Sequence, residues 1–172
     1  MKGTILKCLE ELVTEKFGAQ KWKESLEKAG IAEGRTFTML CDVDETEFMQ
    51  IMKGFASVAC LSMEQTMEAF GEHWSMVYAP TVYAAYFSTA KSARELLLNL
   101  DHIHDVMTKS MKSTRPPRFR YEWQGDKLLI MHYESKRGLV ALMPGLIRGL
   151  GKHFNEKLTV RTVGNAVHVQ FP

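Results

Sequence analysis

Two consecutive prolines, Pro116 and Pro117, divide this chain into two periodicities. Proline has no amide proton, and the residue before a proline avoids the α region, so no helix runs through the pair. Before it, apolar residues recur every three or four positions. The stretch from about Ser88 to Met111 reads as one helix, with Leu97, Leu100, His104, Met107 and Met111 along a single face, and Thr114-Arg115-Pro116-Pro117 ends it. After the prolines the period becomes two. Phe119, Tyr121 and Trp123 alternate with Arg118, Arg120 and Glu122, Gly125-Asp126 turns the chain, and Leu128 to Tyr133 returns it as a hairpin.

The remaining segments extend this division. Ile5, Leu6, Leu9, Leu12, Val13 and Phe17 make an amphipathic first helix that stops at Gly18, and a short helix from about Trp22 to Lys28 stops at Gly30. Asp42-Val43-Asp44-Glu45 offers acidic caps to a helix over about Glu45 to Ala59, and Ser62 is the candidate cap of a helix running to Met76. Leu139 to Phe154 returns to helix, and a second hairpin, around Leu158 to Val163 and Val167 to Phe171, closes about Gly164-Asn165. The expected fold is α+β: a helical N-terminal part, then an antiparallel sheet with an inserted helix.

Composition narrows the function classes. With 172 residues, one domain is expected, able to enclose a cofactor, with no room for a second catalytic domain. Lys and Arg total 22 against 20 Asp and Glu, a net charge of +2, which argues against a nucleic-acid partner. Charge interrupts the N-terminal apolar residues too early for a signal peptide, and no apolar run is long enough to span a membrane, so a cytoplasmic protein is expected. Cys8, Cys41 and Cys60 are widely spaced and read as reduced structural thiols without a zinc motif. The 11 Met residues fit an irregular apolar cavity, although core packing explains them equally.

Two groups of residues invite chemistry. His104 lies on the apolar face of its helix, where an imidazole needs either a metal or a hydrogen-bond partner such as a backbone carbonyl. His102, two residues earlier, points about 200° away and cannot share that site. In Tyr133-Glu134-Ser135-Lys136-Arg137, extended alternation puts Tyr133, Ser135 and Arg137 on one side, presenting two hydroxyls and a guanidinium. Such a trio suits a ligand with carboxylates, and it equally suits a solvated sheet face.

Met1-Lys2-Gly3-Thr4-Ile5, Leu100-Asp101-His102-Ile103-His104, the Thr114-Arg115-Pro116-Pro117 exit and Tyr133-x-Ser135-x-Arg137 stand in the order found in the H-NOX (haem nitric oxide/oxygen binding) family, which this chain resembles over its whole length. The resemblance implies one stand-alone domain over 1–172, with a distal part over about 1–60 and a proximal part over about 61–172. It implies haem b (iron protoporphyrin IX) with His104 as the iron ligand. Tyr133, Ser135 and Arg137 then fall on the propionate-binding motif, and Pro117 on the proline that presses on and distorts the porphyrin. Haem's large apolar disc, two carboxylates and iron fit these residue types.

Relatives that hold dioxygen carry a tyrosine five residues past the motif arginine, and Leu142 stands there in this chain. A distal pocket lined by Ile5, Leu9 and Leu142 implies binding of nitric oxide and carbon monoxide with exclusion of dioxygen. Trp74 and Tyr78, on the helix the resemblance puts near the distal side, carry polar hydrogens that bear on that choice. Nitric oxide weakens the iron bond to His104 in the family, the porphyrin relaxes off Pro117, and the two parts rotate. With no kinase or cyclase before Pro172, the expected output is a separate histidine kinase or cyclic-di-GMP enzyme. No cysteine follows Cys60, so the zinc site of some relatives is not expected. An enzyme needs a distal acid–base pair, for which His73 is the sole contender, and a binding module for another apolar carboxylate is the further alternative.

Overall fold

The computed structural model describes residues 3–32, 34–39, 41–110 and 116–172. Met1, Lys2, Met111, Thr114 and Arg115, which enter the sequence motifs, lie outside the described residues. The chain forms two compact units, Met1–Phe70 and Gly71–Pro172.

The first unit is built on helices α1 (Gly3–Phe17), α2 (Ala19–Lys28) and α3 (Glu45–Ala59), followed by most of α4 (Met63–His73). Leu6, Leu9, Leu12 and Val13 of α1 and Phe48, Ile51, Met52 and Phe55 of α3 are buried, as the apolar stripes require. Gly18, at φ 92° and ψ 154°, takes a positive-φ conformation that favours glycine and stops α1. Asp44 caps α3 by accepting the Thr46 amide at 2.7 Å. Ser62 and Gln65 cap α4 reciprocally: the Gln65 amide donates to the Ser62 hydroxyl at 3.1 Å and the Ser62 amide to the Gln65 side chain at 2.8 Å. At Gly54 the backbones of α2 and α3 come so close that a Cβ would sit 2.3 Å from the Ser25 carbonyl.

In the second unit α4 does not run on to Met76 as a regular helix. It passes at Trp74 into a π turn (Trp74–Tyr78), followed by α5 (Ala79–Val82) and α6 (Ala84–Thr89). The helix expected from Ser88 begins instead at Ala93, as α7 (Ala93–Ser110), after an extended Ala90. Its start is capped from both sides: the Glu95 amide donates to the Ser92 hydroxyl at 3.1 Å, and the Glu95 carboxylate accepts the Lys91 amide at 2.8 Å. The signal Ser92-x-x-Glu95 was present in the sequence, and helical periodicity running through it hid the break.

Strands β1 (Arg118–Gln124), β2 (Leu128–Glu134), β3 (Thr159–Val163) and β4 (Ala166–Gln170) form an antiparallel sheet in the order β1-β2-β4-β3. The register pairs Phe119 with Tyr133, Tyr121 with Met131, and Trp123 with Leu129, so the aromatic alternation of β1 faces the apolar side of β2. Val167 and Val169 of β4 complete that buried face. Between the hairpins, a 3₁₀ turn (Val140–Leu142) leads into α8 (Met143–His153), where a single longer helix was expected. Pro144 in the first turn of α8 marks this restart. A Cβ at Gly149 would lie 2.7 Å from Ser75 Cβ and 2.8 Å from the Glu72 carbonyl, so α8 packs closely on the end of α4 and the π turn.

A candidate cofactor site

His104 projects from the fourth turn of α7 toward the start of β1. Its Nδ1 lies 2.8 Å from the carbonyl oxygen of Pro117. A carbonyl only accepts, so Nδ1 carries the proton and the ring's lone pair resides on Nε2, the tautomer in which a histidine binds a metal through Nε2. Burial pushes the imidazole pKa below its ordinary value, against smaller opposing effects of the Pro117 carbonyl and Asp101. The neutral ring needed for ligation is therefore favoured. His102, two residues away, is exposed.

Two further residues shape the surroundings of this imidazole. Phe119, buried, lies with its ring centroid 5.6 Å from that of His104 and 6.1 Å from that of Tyr133, linking the histidine to the second motif through aromatic contacts. Asp101, one turn before His104, accepts the Arg118 guanidinium through both oxygens, at 2.8 and 2.5 Å, and the Phe119 amide at 2.8 Å. The bond from Arg118 holds its carboxyl below the usual range, with the Phe119 amide acting in the same sense. The signal for Asp101 was its three-residue spacing from His104; for Phe119 it was only membership of an alternating strand.

Tyr133 is buried near the end of β2, where its amide donates to the Asn165 carbonyl at 3.0 Å. The strand ends at Glu134, so Ser135 and Arg137 do not continue one extended face with Tyr133. The chain turns instead, with the Arg137 amide donating to the Ser135 hydroxyl at 3.3 Å and Gly138 at φ 64°. Where Ser135 and Arg137 lie relative to Tyr133 is thus set by a turn, which period-two alternation cannot describe. Arg137 keeps its Nε buried, an unusual setting for a guanidinium and one suited to an anionic partner.

Leu142 ends the 3₁₀ turn before α8 and is partly buried; its carbonyl would be 2.6 Å from a Cβ at Gly71, which places it beside α4. Trp74 and Tyr78 form the two ends of the π turn, their rings stacked at 5.7 Å and 13°. His73, just before them, is buried. Ile5 and Leu9 lie one turn apart on α1 in the first unit, Leu9 fully buried and Ile5 partly so. Among the described residues no group of three or more His, Cys, Asp or Glu is arranged to hold a metal ion. A single axial imidazole is a different donor set, adequate when a macrocycle supplies the remaining ligands. No described helix is long and apolar enough to cross a membrane.

An α+β unit that presents a half-buried neutral histidine from a helix, a tyrosine joined to it through Phe119, and an arginine whose Nε is buried has the donor types of a haem-binding fold. Residues 2–162 match the family model described as Haem-NO-binding. This chain belongs to that family, whose members are also called H-NOX domains. Its fold is that of solved H-NOX structures: a Cs H-NOX variant with 4-cyano-L-phenylalanine at site 5 superimposes with a TM-score of 0.88 at 24% identity, covering 99% of this chain and 96% of the other. An oxygen-binding H-NOX domain related to soluble guanylate cyclases gives 0.80 at 24% identity, covering 99% and 95%. The soluble guanylate cyclase gcy-37 of Caenorhabditis elegans is 32% identical over 152 residues, 86% of this chain and 22% of the cyclase. The protein is accordingly a haem-binding gas-sensor domain related to soluble guanylate cyclases, and it spans about a fifth of that cyclase's length.

Proposed function

We propose that this chain is a nitric oxide sensor that holds haem b through Nε2 of His104 and passes its signal to a separate protein. The observation that carries the reading is the bond between His104 Nδ1 and the Pro117 carbonyl, which leaves the lone pair on the nitrogen required for axial ligation. Tyr133, Ser135 and Arg137 serve as the propionate clamp, supported by the buried Nε of Arg137. Pro117 takes two parts, its carbonyl orienting His104 and its ring bearing on the porphyrin. When bound, haem would supply an iron able to take a diatomic gas, with Nε2 of His104 as the protein's ligand to it.

The choice of gas rests on Leu142, which offers no donor to stabilise the charge dioxygen acquires, while nitric oxide and carbon monoxide need less such help. Trp74 and Tyr78 sit face to face in the π turn, and this reading gives their polar hydrogens no bond to the gas. His104 is the movable link. Release of its Nε2 would leave Nδ1 held by Pro117 and would so alter the force borne jointly by α7 and β1. A differential of this kind between two states is what a ligand must create in order to signal. The recipient proposed is a histidine kinase or a cyclic-di-GMP enzyme.

The test is the visible spectrum of the protein expressed with haem supplementation. The reduced protein is expected to be coloured, and nitric oxide to shift it to a five-coordinate spectrum. His104→Gly is expected to lose haem unless imidazole is added, while His102→Ala keeps the unmodified spectrum. A colourless protein would support a binder of another apolar carboxylate; peroxide turnover well above that of free haem would support an enzyme.

A further inference from the structure

Three polar contacts in succession join α7 to the start of β1, with the two elements running in opposite directions. His104 meets Pro117, Asp101 meets Arg118 and the Phe119 amide, and the turn from Leu97 to Asp101 meets Tyr121. In the last of these the Tyr121 hydroxyl donates to the Leu97 carbonyl at 2.9 Å and accepts the Asp101 amide at 3.2 Å. Leu97 and Asp101 are four residues apart, so the hydroxyl bonds both ends of one helical rung. A phenol can do this because one oxygen both donates and accepts, and a side chain inserted into the ladder is a recognised cause of local bending. Burial pushes the Tyr121 pKa up to about 12, which keeps the donor proton in place at any physiological pH.

We propose that Tyr121 is a positioning residue for the axial imidazole, its hydroxyl setting the height of the α7 turn that carries Asp101 and His104 against β1. The inference rests on His104 being the haem ligand. One end of this turn is held by Tyr121 and the other by Pro117, so the placement of Nε2 follows from both. The Asp101–Arg118 pair lies between them, but the guanidinium is half exposed and its attraction is screened by salt. The Tyr121 bonds are neutral and part-buried, so salt affects them less. Without the hydroxyl, the Asp101 amide and Leu97 carbonyl close on each other alone, and the turn shifts relative to the Pro117 carbonyl.

Tyr121→Phe keeps the ring and removes only the bridge. In the haem-free variant, hydrogen exchange at the Asp101 amide is expected to accelerate about fivefold, the value of one ordinary hydrogen bond. In the ferrous haem-loaded variant, the iron–histidine stretching band is expected to move, and the five-coordinate fraction with nitric oxide to change at fixed gas concentration. A variant that is less stable but keeps both the band and the fraction would show a merely structural tyrosine and overturn the proposal. If the variant does not fold, the unmodified protein decides. A slowly exchanging Tyr121 hydroxyl proton with a nuclear Overhauser contact to the Asp101 amide supports the bridge, and its absence overturns it. A reduced unmodified protein that binds haem without an iron–histidine band would instead overturn the axial assignment of His104, and this inference with it.

Discussion

Truncating Phe119 tests whether the aromatic contacts organise the site. The residue is 7% exposed, and its ring meets His104 at 5.6 Å with a 36° tilt and Tyr133 at 6.1 Å edge-on. Phe119→Ala removes a buried ring and leaves a cavity, at a cost of about 3–5 kcal/mol. Its amide bond to Asp101 is unaffected, because that bond uses the backbone. Phe119→Leu keeps most of the apolar burial and loses the two ring pairs, each worth about 0.5–1.5 kcal/mol, for a total of about 1–3 kcal/mol. For a chain of this length each kcal/mol corresponds to a midpoint shift of about 2–4 °C, so the alanine variant should melt about 6–20 °C lower. The assay is urea and thermal unfolding of the haem-free protein followed by circular dichroism, with the His104 Nδ1 proton observed by NMR. A loss below about 1 kcal/mol for the alanine variant, with an unchanged His104 signal, would refute the argument, since a filled and ring-lined position cannot be emptied so cheaply.

Arg137→Ala should release haem to a haem-free acceptor faster than Ser135→Ala, because a charge-assisted bond is about twice as strong as a neutral one; the reverse order of transfer rates would count against the clamp. The reduced unmodified protein in air should give no lasting dioxygen spectrum, while Leu142→Tyr could strengthen dioxygen binding by about 1 kcal/mol, the net value of one hydrogen bond. A stable dioxygen spectrum in the unmodified protein would point to Trp74, Tyr78 or a water as donor. For pH, burial depresses His104 below its ordinary 6.5, so the unfolded chain binds the extra proton first and stability falls as pH drops below about that value. Asp101, held low by Arg118, contributes at neutral pH and loses that contribution further down, as pH falls below the ordinary 3.8 of its carboxyl. Urea midpoints of the haem-free protein between pH 7.5 and 5 should decline, and decline less in His104→Leu; a midpoint that rises on acidification would contradict the buried neutral imidazole.

Much of this molecule was legible in its sequence because local rules act there without competition. The stop at Gly18, the caps at Asp44 and Ser62, and the alternation of Phe119, Tyr121 and Trp123 each depend on residues a few positions apart, and the structure bears them out. Periodicity, by contrast, reports which face is apolar and says little about where a helix pauses. The break before Ala93, the π turn over Trp74–Tyr78 and the 3₁₀ start of α8 therefore passed unseen within continuous helical patterns. The order of the motifs pointed to the family, and His104 could be read from sequence as either a metal ligand or a core histidine bonded to a carbonyl. Only the tertiary structure decided that the carbonyl is that of Pro117, thirteen residues on, and that the bond leaves the lone pair on Nε2. It alone set Asp101 against Arg118, Phe119 between His104 and Tyr133, and the Tyr121 hydroxyl on a rung of α7. These contacts join a helix to a strand, and their distances follow from how the two elements pack, which spacing along the chain does not encode.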